Sequence, residues 1–409
     1  MASQILKMGK NKKWVALLGY SGKGYFGMQR QACDNKNIES LPTIESELLK
    51  SFHQVGLITD EEYNFPSKLH FQRAARTDKG VSAIRQIISL KFAKDFNAFL
   101  PQINELLPKQ IQLFCTKRVT NNFDSKNYCD ARTYSYLLPS FAICPLEDIC
   151  QESYRTTNKV TEEFNSILKL YTGTHNFHNF TAGKKPTDPS ANRYIMSFEC
   201  SDTFELTADE IKLEFLVARI KGQSFMLHQI RKMIGLAIAV MRGFSDQSTI
   251  TRAFGQERLD IPMAPSLGLL LEEIHYDRYN KKWGGDGVHE PLLWDEVNNQ
   301  INDMKFSHIY PNIAETEIRE KSMLKWLSTL PLHTFDVRED PINDHSKVLD
   351  KPLVVAYFNA NKEKNSDKTV ENSETNSNVQ NECDQITKDE KDEREQPTNV
   401  KRIKLDTPV

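Results

Sequence analysis

Apolar residues recur along the chain at two spacings, and the order in which the spacings alternate is the first guide to the fold. Trp14 to Leu18 is a short apolar run of strand type. It leads into GYSGKGYFGMQRQ, whose glycines Gly22, Gly24 and Gly27 make a turn rather than a helix. Thr43 then precedes Ile44, Leu48, Leu49 and Phe52, apolar at helical spacing behind an N-cap residue, so a helix is expected to lie on the sheet there. Ile88, Leu90 and Phe92 alternate with Ser89 and Lys91, the period of a half-buried strand. A helix over Phe99 to Leu107 and a strand over Ile111 to Cys115 follow. In CDARTYSYLLP, Arg132, Tyr134, Tyr136 and Leu138 fall at period two and share one strand face.

From about Asn158 the order begins again, without a repeat in sequence. Val160, Phe164, Ile167 and Leu168 mark a helix face, and strands are expected over Arg193 to Glu199 and Lys212 to Ile220. KGQSFMLHQIRKMIGLAIAVMRG reads as a largely apolar helix through Phe225, Leu227, Ile230, Ile234 and Ala237, with Arg231 inside it. A cation in such a helix costs free energy unless an anion compensates it, so Arg231 serves either a structural ion pair or a site. PMAPSLGLLLE is a turn and a strand, and Glu315 to Leu330 reads as a helix with Met323, Trp326 and Leu327 on one face. From about Asn359 the chain is polar and charged, a composition that cannot bury a core.

Composition narrows the function more than the fold. At 409 residues, 39% apolar and 26% charged, the chain is long enough for two ordinary globular domains with appendages. Its longest apolar run, Met233 to Met241, is about half of the ~20 residues that a membrane span needs. Lys7, Lys10, Lys12 and Lys13 stand at the N-terminus without the apolar core of a secretory signal. The formal charge is −2, so a nucleic-acid site has to be a local patch rather than a global field. Seven cysteines without C-x-x-C pairing indicate a reducing compartment and no structural metal. His175 and His178 in GTHNFHNFT lack a carboxylate or thiolate partner, and metal binding is not expected of them.

The stretch with the most chemistry is QRAARTDKGVSA, Gln72 to Ala83. Asp78 is set among Arg73, Arg76 and Lys79, a setting that keeps a carboxylate ionised. Gly80 lets the chain turn sharply just past it. From the residues alone, this is either a surface loop pairing its own charges or an exposed anion poised for chemistry.

The segment resembles the ARTD-x-GV core of the TruA family of tRNA pseudouridine synthases, whose Asp is catalytic. The resemblance covers roughly Trp14 to Asp277, continues into the C-terminal extension, and is closest to the animal pseudouridine synthase 1 branch. R-x-Y-x-Y from Arg132 is similar to the family strand whose first Tyr, here Tyr134, contacts the target base. The family motif ending in an Arg that pairs with the catalytic Asp falls on Arg231, and the apolar residue set against the uracil falls on Leu269. The glycine-rich loop resembles one the family uses near the RNA backbone, usually with Asp where Ser21 stands; a plain hairpin is the alternative.

The resemblance implies an α+β fold of two α/β, RRM-like domains whose antiparallel sheets join around a central RNA-binding cleft, with a C-terminal helical extension. The divisions expected are a basic arm over 1–13, domains over 14–145 and 146–282, an extension over 283–358 and a charged tail over 359–409. It also implies isomerisation of uridine to pseudouridine in tRNA and at some mRNA sites, without cofactor, nucleotide or metal. Asp78, Tyr134 and Arg231 would be catalytic. Asp78 would act as nucleophile or as base, and Tyr134 would stack on the base or accept the proton from C5. Leu269, Arg76 and Arg132 would join Tyr134 in binding substrate, with Arg76 filling the space of a flipped uridine. Lys23, Arg30, Arg73 and Lys79 would meet the RNA backbone. A monomer is expected, with the extension covering the surface through which bacterial relatives dimerise. KRIKLD near the C-terminus is of nuclear-import type, with a mitochondrial or cytoplasmic share left open. The alternative function is a non-catalytic tRNA folding aid on the same scaffold. A metal-free hydrolase would need a second acid or base that the sequence does not offer.

Overall fold

The computed structural model describes residues 10–30, 41–145, 148, 150–201 and 203–338. Contacts gather into one unit, Met1–Val354, while Val355–Val409 and KRIKLD lie outside the described residues. The strands are β1 (Lys12–Tyr20), β2 (Gln72–Arg73), β3 (Ser82–Phe92), β4 (Ile111–Val119), β5 (Ala131–Pro139), β6 (Gly173–Asn176), β7 (Asn192–Cys200), β8 (Phe204–Ala208), β9 (Ile211–Gly222) and β10 (Leu269–His275). The helices are α1 (Ile44–Gln54), α2 (Asp60–Asn64), α3 (Leu100–Leu106), α4 (Asn158–Lys169), α5 (Gln229–Met241), α6 (Ser248–Arg252), α7 (Asp277–Trp283), α8 (Asn298–Met304), α9 (Tyr310–Glu320) and α10 (Ser322–Leu327). Among the described residues no helix is long and apolar enough to cross a membrane.

All strands belong to one mixed sheet in the order β4-β1-β3-β10-β5-β9-β7-β6, with β2 added beside β3 and β8 beside β9. The last strand, β10, is inserted at the middle. It runs parallel to β3 through Leu270 opposite Ser82, and antiparallel to β5, with Leu269 opposite Tyr136 and Leu271 opposite Tyr134. The start of β3, which follows Asp78, is thereby brought beside the strands that carry Tyr134 and Leu269.

Two of the helical patterns settle where they predict. Thr43 caps α1 by accepting from Ser46 N at 3.2 Å, and Leu48, Leu49 and Phe52 are buried. Phe164, Ile167 and Leu168 are the buried face of α4. β3 differs from the half-buried strand expected: Ser89 is fully buried, hydrogen-bonded to Gln72 Oε1 at 3.0 Å and to Ser125 N at 3.2 Å. A strand with neighbours on both edges and cover on both faces buries its polar alternates, provided each finds a partner.

The expected helix over Glu315 to Leu330 is instead two. Lys321 takes a left-handed conformation (φ 51°), ending α9, and α10 begins at once. Glu317 reaches across the break, both carboxylate oxygens accepting from Met323 N at 2.8 and 3.0 Å. Between α8 and α9 a π-helical turn, Lys305–Ile309, aims Lys305 at Glu272 of β10; the pair is buried, and Glu272 also accepts from Ser135 Oγ at 2.7 Å. The extension is thus tied to the two strands that border the middle of the sheet.

Burial pushes the Glu317 carboxyl up to about 7, against the pull of its two backbone donors, with Glu152 and Glu320 adding to the rise. A raised carboxyl favours folding below its unfolded value near 4.5, and that contribution is lost as pH climbs through about 7. Glu317→Gln is therefore expected to lose stability less steeply than the parent between those pH values and to be more stable by about 1 kcal/mol at pH 8, read from urea unfolding at each pH.

Candidate active site

Asp78 lies on the segment between β2 and β3, and nearly every backbone group around it is held. Ala74 N donates to Ile87 O at 2.8 Å, and Ala74 O accepts from Arg132 Nε and Nη2 at 3.1 and 2.7 Å. The Gln86 amide brackets Ala75, accepting from its N at 3.2 Å and donating to its O at 2.9 Å. The Thr77 hydroxyl meets that of Tyr20 at 2.8 Å, and burial pushes the Tyr20 phenol up to about 12. Val81 N donates to Asp78 O at 3.1 Å, closing a turn in which Gly80 takes φ 78°.

The glycine-rich loop after β1 supports this turn. Met28 N donates to Thr77 O at 3.2 Å and Gly80 N to Tyr25 O at 3.2 Å. Backbone lies against backbone: a Cβ on Gly27, where φ is 94°, would stand 2.5 Å from Thr77 O, and one on Gly22 would stand 2.4 Å from Val81 O. Gly22 and Gly27 thus let the loop lie against the Asp78 turn, while a Cβ on Gly24 would meet nothing within 4 Å. Ser21 is buried, its N donating to Gln110 O at 2.9 Å.

The turn forms one wall of a cleft of about 600 Å³, lined by Asp78, Arg73, Arg76, Arg132, Tyr134, Arg231, Leu269 and the loop 224–228, among others. Six cations (with Lys126 and Arg193) face two carboxylates, Asp78 and Asp124, along that lining, so a chain of net charge −2 carries a locally cationic cleft. Tyr134 is buried against Phe225, edge to face with centroids 5.4 Å apart, and burial holds its phenol well above the usual range, with Asp78 adding to the rise. Among the described residues nothing hydrogen-bonds its hydroxyl. Leu269 is buried at the start of β10, its N donating to Ser266 O at 3.1 Å.

The structure brings Asp78, Tyr134, Arg231, Leu269, Arg76, Arg132 and Arg73 to one cleft, but not with the contacts expected of each. α5 starts at Gln229, so Phe225 and Leu227 belong to the loop before it, and Arg231 sits in its first turn rather than inside it. There the helix dipole disfavours a cation. The expected ion pair between Arg231 and Asp78 is not made; Arg231 Nε donates to Ala264 O at 2.8 Å. Burial pulls the Arg231 guanidinium below its usual pKa, and Tyr136 and Asp78 push it back. Within ion-pair reach of Asp78 is a residue that the sequence did not single out: His228 Nε2 stands 3.7 Å from Asp78 Oδ2. Burial lowers the His228 pKa, Arg231 and Lys232 lower it further, and Asp78 works against all three. The only sign in the sequence was a polar residue interrupting an apolar run.

Arg132 is occupied as a clamp, also donating to Gln223 O at 3.2 Å. Arg73 pairs with buried Glu45 at 2.8 Å and lies over Phe71. Lys23 donates to Thr316 Oγ1 at 2.9 Å, Arg30 to Tyr63 O at 3.2 Å, and Lys79 lies over the Phe26 ring at 4.2 Å; none of these three lines the cleft. Arg76 is exposed and has no protein partner among the described residues. His175 stacks on Phe254 at 4.2 Å, and buried His178 bonds Glu257 O at 3.2 Å and Asn176 Oδ1 at 3.2 Å.

Comparison with known proteins adds to this geometry. A family model described as tRNA pseudouridine synthase matches residues 167–277. Pseudouridylate synthase 1 homolog of Mus musculus is 47% identical over 325 residues, covering 79% of this chain and 75% of the relative. That of Homo sapiens is 48% identical over 322 residues, covering 78% and 73%. tRNA pseudouridine synthase 1 of Kluyveromyces lactis is 33% identical over 385 residues, covering 76% and 68%.

The chain belongs to this pseudouridine synthase family. The family model covers α5 and β10, and hence Arg231 and Leu269; Asp78 and Tyr134 lie outside that match and are joined to it by the central insertion of β10.

The support given by the glycine loop is testable within it. Gly27→Ala places a Cβ against Thr77 O, whereas Gly24→Ala, at φ 83°, meets nothing within 4 Å. Both variants should lose about 1 kcal/mol or more from backbone strain, but only Gly27→Ala should lose pseudouridine formation out of proportion to its melting temperature. Equal activity in the two variants would refute a supporting role for Gly27.

Proposed function

We infer that the protein isomerises uridines of tRNA to pseudouridine, and the observation that carries this reading is a carboxylate, Asp78, anchored in a cationic cleft beside Tyr134, Arg231 and Leu269. The reaction breaks the bond from C1′ of ribose to N1 of uracil, turns the base and rejoins it through C5; the C5 proton leaves and N1 gains one, so no donor or redox partner is consumed. A phosphate backbone is drawn by the cations of the cleft, and a carboxylate among them remains available for the sugar or base. Asp78 acts on the ribose or uracil as nucleophile or as base. Arg231 and His228 set the charge around it, and Tyr134 and Leu269 close on the base from the sheet.

A uridine within a stem is out of reach and must be flipped, at a cost of a few kcal/mol. Arg76, exposed and unpaired, is suited to the displaced phosphate and the vacated space. Arg132 serves by holding the Asp78 segment and presenting its outer edge to substrate; Arg73, Lys23, Arg30 and Lys79 contribute at most long-range charge to the backbone, since each has a protein partner. Recognition of this kind rests on shape and charge more than on base edges, which extends the proposal to mRNA sites of similar shape.

In this reading the sheet is two RRM-like halves, 14–145 and 146–282, which interleave at their junction: β10 enters between β3 and β5, and β5 lies between β10 and β9. The protein works as a monomer without metal or cofactor, and KRIKLD directs it to the nucleus; a fluorescent fusion lacking residues 359–409 that stays nuclear would refute the last point. The alternative, a non-catalytic folding aid, has no use for a carboxylate beside an RNA anion. Asp78→Ala is expected to abolish tritium release from 5-labelled uridine in tRNA while tRNA affinity stays within about tenfold, roughly 1.4 kcal/mol. Turnover by that variant would remove the assignment, and loss of affinity with it would favour the folding aid.

A further inference from the structure

Leu227 is, among the described residues lining the cleft, the only large apolar side chain that is also exposed, at 53%. The apolar residues beside it in the lining, such as Tyr134, Phe225 and Leu269, are buried or half-buried, while six cations line the same cleft; a leucine gains nothing from phosphate or from water. The one apolar surface that a nucleic acid offers in reach of a cationic groove is the face of a base.

The loop carrying Leu227 is held at each residue around it. Gln223 N donates to Tyr194 O at 3.1 Å, and Gln223 O accepts from Arg132 at 3.2 Å. Phe225 packs edge to face on Tyr134. Met226 N donates to Gln229 Oε1 at 2.9 Å, and Gln229 N returns a bond to Met226 O at 3.2 Å. His228 stands in the left-handed region (φ 63°, ψ 1°), a conformation that costs free energy for a residue with a Cβ and persists where the surroundings enforce it, commonly at functional sites. The turn therefore directs His228 towards Asp78 and leaves Leu227 projecting alone.

We propose that Leu227 is an apolar wedge pressed on the face of the base next to the flipped uridine, whose own space Arg76 takes; this rests on the reading of the protein as a pseudouridine synthase. Leu227 supplies the apolar contact that neighbouring bases lose when the uridine leaves, and Arg76, on the other loop of the cleft, supplies the charge for the displaced phosphate. Leu227 touches no reacting atom; it lowers the cost of reaching the reactive arrangement.

The test compares two RNAs with the same sequence around the target uridine: a folded tRNA stem-loop in which the uridine is stacked, and a short linear fragment in which it is unpaired. Leu227→Ala and Leu227→Gln should each lower kcat/KM about tenfold or more on the folded RNA and less than about threefold on the linear one, whose uridine is already unstacked. Leu227→Met should restore most of the loss. Fluorescence of 2-aminopurine placed next to the uridine should rise on binding of wild-type protein to the folded RNA, and rise less with Leu227→Ala. An equal loss on both RNAs, an unchanged rate on the folded one, or an unchanged 2-aminopurine signal would overturn the wedge. Wild-type protein that forms no pseudouridine in either RNA would overturn the enzymatic reading instead.

Discussion

A carboxylate among cations will be drawn to whichever is nearest unless its backbone cannot follow, and that restraint is what the rest of this structure depends on. From Ala74 to Val81 the main chain is bonded to β3, to Gln86, to the glycine-rich loop and to Arg132, and the Thr77 side chain to Tyr20. Because these anchors are fixed in the core of the sheet, Asp78 can stay within a cationic cleft without an ion pair to Arg231 and so keeps its oxygens for another partner. Preorganisation of this kind is worth more to a reaction than a strong contact in the resting state, since only what is gained on the way to the transition state accelerates it.

Arg132 unites the two walls. Its guanidinium bonds Ala74 O on the segment before Asp78 and Gln223 O on the loop before α5. One side chain from β5 thus sets the spacing between the carboxylate and the loop that carries Phe225, Leu227 and His228. An arginine does this better than a lysine because its planar fork can meet two carbonyls at once.

The longer strands and helices α1, α3 and α4 were legible because one buried face leaves a period in the sequence, as in Ile88 to Phe92 and in α4. That Asp78, Tyr134, Arg231 and Leu269 share one cleft was to be expected only from resemblance, since a lone Leu or an Arg among apolar residues has no period of its own. Where the reading went astray, the cause was physical. Phe225 and Leu227 have helical spacing, yet they are apolar because they face a cleft, and a count of apolar positions cannot distinguish a cleft from a core. Lys321 breaks a helix by a left-handed turn that no glycine announces. The closeness of His228 to Asp78, and the burial of Ser89, depend on pairings between distant segments to which local pattern is blind.

The bond between Lys305 and Glu272 reaches further than its place at the back of the sheet suggests. Glu272 is next to Leu271, which is paired with Tyr134, and it shares its carboxylate with Ser135. A chain ending before the π-helical turn would strand a buried carboxylate directly beneath the substrate face, and an uncompensated buried charge is relieved by taking up a proton, admitting water or shifting the strand. A form of this protein shortened before Lys305 is for that reason a variant of the cleft in disguise, and the extension belongs with the cleft although it contributes no residue to it.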